Sequence, residues 1–243
     1  MKPSLAAFDQ SAQFHLTTAP PSGAPVAEPT GGKITIDPLE EKRTSVDNYR
    51  LLVSSIVPRP VALVSTVDRD GNANLAPFSY FQVVNSDPPM FVLGISQGFN
   101  GPKDTLKNLL DTGECTVNIV SEWFAEAANK ANINAPSGTS EWEIAGLEQE
   151  HSQIVKPAIV KRSAFSVECK LAHHHEWFSK RVEGKKTGNL VILEGVLFHV
   201  SGEVLNAEGT SLDIEKLRPI SRLGGTTYGR TTEGYDLPRF QWE

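Results

Sequence analysis

The most constraining stretch of the chain is Pro60-Val-Ala-Leu-Val-Ser-Thr-Val, followed by Asp68-Arg-Asp-Gly-Asn and then Ala73-Asn-Leu-Ala-Pro-Phe-Ser-Tyr-Phe-Gln-Val-Val. Two β-rich runs flank an Asp-Gly pair. Gly71 can take the positive φ of a tight turn without a Cβ penalty, so the second run returns along the first. Pro77 lies within the returning run. It has no N–H for a ladder, which implies an edge, a bulge or a break.

The rest of the chain repeats this theme. After Asp87-Pro-Pro, Met90 to Ser96 reads as an apolar strand, and Cys115 to Val120, Ser163 to His173 and Asn189 to Val204 as further strands. Lys33 to Asp37 alternates like a short strand, and Lys216 to Ile220 is a further candidate. Helical spacing is confined to Ser45–Leu52, with Ser45 as cap, to Asp104–Asp111, stopped by Gly113, and to Glu122–Asn132. Many short strands with few helices predict a mainly β fold with helical additions, a barrel or a sandwich. Residues 1–32 are rich in Ala, Pro, Ser, Thr and Gly and read as a flexible arm before a domain at 33–243. Residues 133–160 read as a loop excursion and a candidate lid.

At 243 residues and 39% hydrophobic, the chain can bury a sizeable core. A net charge of −6 argues against a general nucleic-acid binder but leaves room for a small basic pocket. No apolar run approaches the ~18 residues of a membrane span. Residues 1–29 have no uninterrupted apolar stretch after a positive start, so the expected location is cytoplasmic. Cys115 and Cys169 are too few for a disulfide framework and read as reduced, buried thiols.

Several chemistries lack their signatures. There is no Gly-x-Gly-x-x-Gly and no Gly-Lys-Ser/Thr. His173-His-His suggests a metal, but alternate strand residues face opposite ways, so two imidazoles at most converge. The expectation is a polar strand end and no metal. His199, within Val196-Leu-Phe-His-Val-Ser, reads as a satisfied barrel histidine and a weak candidate for substrate contact.

The strongest constellation runs from Arg59 to Thr105. Arg59, Lys103, Ser65, Thr66 and Thr105 offer cationic and hydroxyl donors suited to a phosphate, and the helix start after Lys103 adds free amides. Ala76-Pro-Phe-Ser interrupts a ladder and frees amides for a ring edge. The bland alternative is a barrel strand whose hydroxyls satisfy backbone and whose cations are solvated.

These residues carry a resemblance. Val57-Pro-Arg-Pro-Val-Ala-Leu-Val-Ser-Thr-Val-Asp-Arg-Asp-Gly-Asn-Ala-Asn-Leu-Ala-Pro-Phe-Ser-Tyr-Phe, Ser86-Asp-Pro-Pro, Lys103-Asp-Thr-Leu-Lys-Asn, Gly113-Glu-Cys-Thr-Val-Asn-Ile-Val and Pro219-Ile-Ser-Arg-Leu-Gly-Gly-Thr-Thr-Tyr resemble the flavin reductase-like family. These are FMN-binding split-barrel proteins related to flavoredoxin, and the likeness covers about residues 46–230. The resemblance implies a six-stranded antiparallel split barrel, a homodimer, and FMN in a groove at the dimer interface. It places Ser65, Thr66, Lys103, Asp104 and Thr105 near the phosphate and ribityl chain, with Arg59 as a helper. Asn74, Ala76, Pro77, Phe78 and Ser79 would line the isoalloxazine. Arg222, Gly224, Gly225 and Tyr228 match the family's C-terminal motif and would close the site. The implied activity is an NAD(P)H-dependent flavin reductase passing hydride to flavin N5, with the reduced flavin either supplying a partner monooxygenase or staying bound to reduce an acceptor. No side-chain acid, base or nucleophile is required, because the flavin carries the chemistry. The alternatives are a non-catalytic FMN-binding electron carrier or regulator, and an interaction barrel that has lost its flavin.

Overall fold

The structure is a computed structural model that describes residues 15–17, 28–98, 101–133, 139–236, 238–240 and 242. Seven strands form its main sheet: β1 (Ala62–Val67), β2 (Ala73–Phe78), β3 (Phe81–Ser86), β4 (Pro89–Ser96), β5 (Glu114–Ile119), β6 (Phe165–Phe178) and β7 (Lys186–Val200). All neighbours are antiparallel, in the order β2-β1-β5-β6-β7-β4-β3. The fold is therefore mainly β with helical additions, as the sequence predicts.

The expected returning strand of residues 73–84 is two strands. Up to Phe78 it pairs with β1, where Phe78 lies opposite Ala62. From Phe81 it pairs with β4, where Phe81 lies opposite Leu93. The switch occurs at Ser79-Tyr80, where the Gly94 amide donates to the Tyr80 carbonyl at 2.7 Å. β2 and β3 sit at opposite ends of the sheet order, so this two-residue seam closes the sheet into a barrel. Counted as one bent strand, they give the six strands expected. Pro77 marks the break because it has no N–H to extend the first ladder.

The barrel interior holds Ala62, Val64, Leu93, Val117, Val167, Val191 and Leu193. Helix α1 (Asp104–Thr112) packs Leu106 and Leu109 into this core and ends at Gly113, whose φ is 73°. Cys115 and Cys169 face each other across the β5–β6 ladder as fully buried free thiols.

A second apolar cluster covers the outer face of β1 and β2. Leu63 and Leu75 meet Phe124, Ala128, Trp142, Leu147 and Val160 there. The 133–160 excursion is thus built into the wall of the domain. Its described part holds a helix, Glu141–Ala145, capped by Ser140, and a two-stranded ladder of Gln149–Glu150 with Ile159–Val160. A buried carboxylate fastens it. Glu168 on β6 accepts the amides of Gln153 (2.7 Å), Ile154 (2.6 Å) and Val155 (2.8 Å), and His199 Nε2 lies 2.6 Å away. Burial pushes this carboxyl up, but the amides and His199 outweigh it and hold it below the usual range. His199 therefore contacts the excursion's anchor, which explains its place on a barrel strand.

Other boundaries differ locally. The helix at Ser45 runs to Ser55, and its cap is Thr44, which forms a reciprocal capping box with Asp47. Lys33–Asp37 is irregular, with Ile34 87% exposed, and has no strand partner among the described residues. Within the arm, His15–Thr17 forms a strand parallel to Glu233–Tyr235, where composition predicts none. The remaining arm residues up to Ala27 lie outside the described residues. Among the described residues, no helix is long and apolar enough to cross a membrane.

Candidate functional site

A groove opens beside the seam, enclosing about 750 Å³ of non-atom space, part of it continuous with solvent. Its wall comes from four places. The seam and the β4 strand it joins form the first, with Pro77, Phe78, Ser79, Tyr80, Gly94 and Ser96. Lys103 stands at the head of α1, and the Ser45–Ser55 helix lends Tyr49 and Val53.

The fourth wall is a three-stranded sheet of Arg59–Pro60, Ile220–Arg222 and Tyr228–Arg230, with the middle strand between the others. Arg222 lies opposite Arg59 on one side and Tyr228 on the other. Arg59, Arg222, Gly224 and Tyr228 all reach the groove.

Each cation is held differently. Arg59 is only 7% exposed, and its Nη1 donates to the carbonyls of Val53 (2.6 Å) and Ile56 (2.7 Å). This ties the end of the Ser45–Ser55 helix to the barrel. Its Nε is buried with no hydrogen-bond partner among the described residues. Lys103 Nζ lies 5.7 Å from the Phe78 ring centroid. The Arg222 guanidinium stacks on Tyr228 at 4.4 Å and donates to the Gly225 carbonyl. Tyr228 is fixed in turn by its hydroxyl, which donates to Asn129 Oδ1 at 2.9 Å. No carboxylate lines the groove, and none of these three cations forms an ion pair among the described residues.

Of the residues singled out in the sequence, Arg59, Pro77, Phe78, Ser79, Lys103, Arg222, Gly224 and Tyr228 meet at the groove. Gly225 touches it through Arg222. Ser65 and Thr66 are fully buried. Ser65 pairs with Leu75 and Thr116 inside the sheet and does not line the groove. Thr66 Oγ1 accepts from Asn74 Nδ2 (3.0 Å) and Asn108 Nδ2 (3.1 Å), and Asn74 also donates to Thr105 Oγ1 at 3.0 Å. Thr66, Asn74 and Thr105 thus form a polar clamp joining β1, β2 and the first turn of α1 beneath the groove. Ala76 packs against the barrel core, and Asp104 is exposed in that first turn. His173 and His175 are exposed, and the His175 ring meets Trp177 edge-on at 4.5 Å.

Sequence reasoning missed Tyr49, Val53, Tyr80 and Asn132 as groove residues. Tyr49 and Val53 arrive on a helix outside the barrel, so spacing within the strands carries no signal for them. Tyr80 was within reach, since it follows the Pro77 break directly. Burial raises its phenol pKa, with neighbouring Tyr49 adding to the rise and Arg59 opposing it.

The chain can now be set beside known proteins. Residues 53–213 match the model of the flavin reductase like domain. A protein of Aquifex aeolicus is 39% identical over 189 residues, covering 77% of this chain and 92% of that one. Nitrilotriacetate monooxygenase component B from Bacillus cereus superposes with a TM-score of 0.80 at 34% identity, covering 86% of this chain and all of the other. The 2-nitrobenzoate 2-nitroreductase of Pseudomonas fluorescens gives 0.68 at 30% identity, covering 82% and 92%. Flavoredoxin of Desulfovibrio vulgaris shares the fold, with a TM-score of 0.59 at 22% identity over 76% of this chain and 90% of that one. A barrel closed at a proline break, a cationic aromatic groove beside it and a domain match over most of the chain lead to one assignment: the protein belongs to the flavin reductase-like domain family and is a flavin-related oxidoreductase.

Proposed function

We propose that the protein binds FMN in the groove beside the seam and uses NAD(P)H to reduce it, passing electrons on to a second acceptor. The observation that carries this reading is the donor set: three cations and an aromatic wall without a carboxylate, in a chain of net charge −6. The buried Arg59 Nε, with no partner among the described residues, is a donor the fold has paid to desolvate, and it fits an acceptor supplied by a ligand.

The residues divide the work. Lys103 faces the phosphate, together with the first amides of α1, which no side chain caps. The clamp of Thr66, Asn74 and Thr105 holds β1, β2 and that helix start in register. Phe78, Ser79 and Tyr80 present ring faces and backbone to the planar part of the ligand. Bound FMN would supply hydride acceptance at N5, so no protein nucleophile is needed. The Ser45–Ser55 helix exposes Val46, Leu51 and Leu52 beside the groove, which suits coverage by a second copy in a homodimer. The likeness to a monooxygenase component B supports reduced flavin being handed to a partner monooxygenase.

The test is the visible spectrum of the purified protein, recorded before and after anaerobic NADH or NADPH. Flavin bands that bleach support the reading. Bands that persist with both donors would point to a carrier or regulator. A colourless protein that takes up no added FMN would sink the cofactor assignment.

A further inference from the structure

The groove carries more positive charge than FMN accounts for. A phosphate dianion offsets two of the cations Arg59, Lys103 and Arg222 and leaves one over. The surplus has a definite place. Arg222 sits directly opposite Arg59 on neighbouring strands, and like charges so placed repel. Arg59 is locked from below by the Val53 and Ile56 carbonyls. Arg222 stands on the other side, held over the Tyr228 ring at 4.4 Å and by its hydrogen bond to the Gly225 carbonyl. A guanidinium braced in this way presents a rigid fork suited to a carboxylate. The surroundings are aromatic, with Tyr49, Tyr80 and Tyr228 all reaching the groove.

We propose that Arg222, stacked on Tyr228 and opposite Arg59, is the specificity-determining residue for an anionic second substrate, an aromatic monocarboxylate that binds beside the flavin. The assignment rests on the flavin reading of this groove. A monocarboxylate balances the single charge left over, whereas the pyrophosphate of a nicotinamide donor would overcompensate it. Tyr228 acts as a positioning residue, because it touches Arg222 and is itself pinned by Asn129.

The experiment measures binding by calorimetry to the FMN-loaded protein, with 4-hydroxybenzoate and its uncharged isostere 4-hydroxybenzamide as probes. FMN affinity is measured first for the wild type, Arg222→Gln and Arg222→Lys. The expected result is a preference of roughly tenfold or more for the carboxylate in the wild type, the scale of one charge-assisted contact. Arg222→Gln should abolish the preference and Arg222→Lys should retain part of it, each measured on protein saturated with FMN. Equal binding of the two probes by the wild type would overturn the proposal. So would a preference that survives in Arg222→Gln, or an Arg222→Lys protein that folds normally but no longer binds FMN, which would assign the guanidinium to the flavin. Protein that takes up no FMN yet prefers the carboxylate would sink the flavin reading and keep the Arg222 assignment. Circular dichroism separates loss of fold from loss of binding.

Discussion

Replacing Glu168 by glutamine exchanges one oxygen for an NH2 group and should loosen a whole wall of the domain. The carboxylate is fully buried. Its Oε1 accepts from Gln153 and faces His199 Nε2, and its Oε2 accepts from Ile154 and Val155. A glutamine amide must put its NH2 toward one of these pairs. Toward Ile154 and Val155 it opposes two amide donors. Toward Gln153 and His199 it opposes one, because a neutral imidazole nitrogen can accept instead. The second orientation is cheaper and still leaves one buried N–H orphaned, at about 1–3 kcal/mol. The two surviving bonds also lose charge assistance, roughly half their strength. Together these give a loss of about 3 kcal/mol, or a fall in Tm of about 6–12 °C for a domain of this size. Urea titration reads the global loss, and hydrogen exchange at Gln153–Val155 reads the local one. A Glu168→Gln protein as stable as the wild type, with unchanged exchange at those amides, would refute the reasoning. The pH dependence has a definite sign. A depressed carboxyl contributes stability that is complete above its unfolded value, near 4.3, and is lost as pH falls through the lower folded value. Below pH ~4 the gap between wild type and variant should therefore shrink.

Three further outcomes follow from the same geometry. Lys103→Ala should weaken FMN binding about tenfold while leaving the thermal midpoint nearly unchanged, since Lys103 makes no side-chain cap on its helix; flavin fluorescence titration checks it. Gly94→Ala would place a Cβ 2.9 Å from Tyr80 Cβ, forcing the seam to shift at a cost of about 1–3 kcal/mol and weakening flavin uptake in parallel; denaturant melts and absorbance measure the two effects. Glu122→Gln should cost about 2–3 kcal/mol by chemical denaturation, because this buried carboxylate accepts from Arg218 (2.8 Å) and Arg230 (3.0 Å) and ties the C-terminal strands to the barrel.

The sequence made the fold class and half of the groove legible for a physical reason. The Asp-Gly turn, the Pro77 break and the glycine stop at Gly113 are local rules, and each holds in the structure. What it concealed depends on long-range pairing. A run from Ala73 to Val84 cannot announce that it changes partners at Ser79, because Pro77 marks a break without saying which strand the next half will join. Ser65 and Thr66 look like free donors in a list of residues, yet burial inside the sheet commits Thr66 to Asn74 and Asn108. The 133–160 segment was readable in part. Ser140 with Glu143 three residues on, Trp142, and Gly146 in the left-handed region are ordinary helix signals, hidden by the loop-like residues before them. Arg59 and Arg222 could not be paired from sequence at all, being brought together only by a two-residue bridge.

The seam at Ser79-Tyr80 also sets where the chain can be cut. A circular permutant opened between Asp70 and Gly71 severs only a surface turn, and both halves of the β1–β2 ladder remain in place. One opened between Ser79 and Tyr80 severs the short direct link between the two ends of the sheet order. Its barrel would have to hold its two borders together by packing alone. The same two peptide units that shape the groove therefore act as the hoop of the barrel, and ligand site and closure cannot be altered independently.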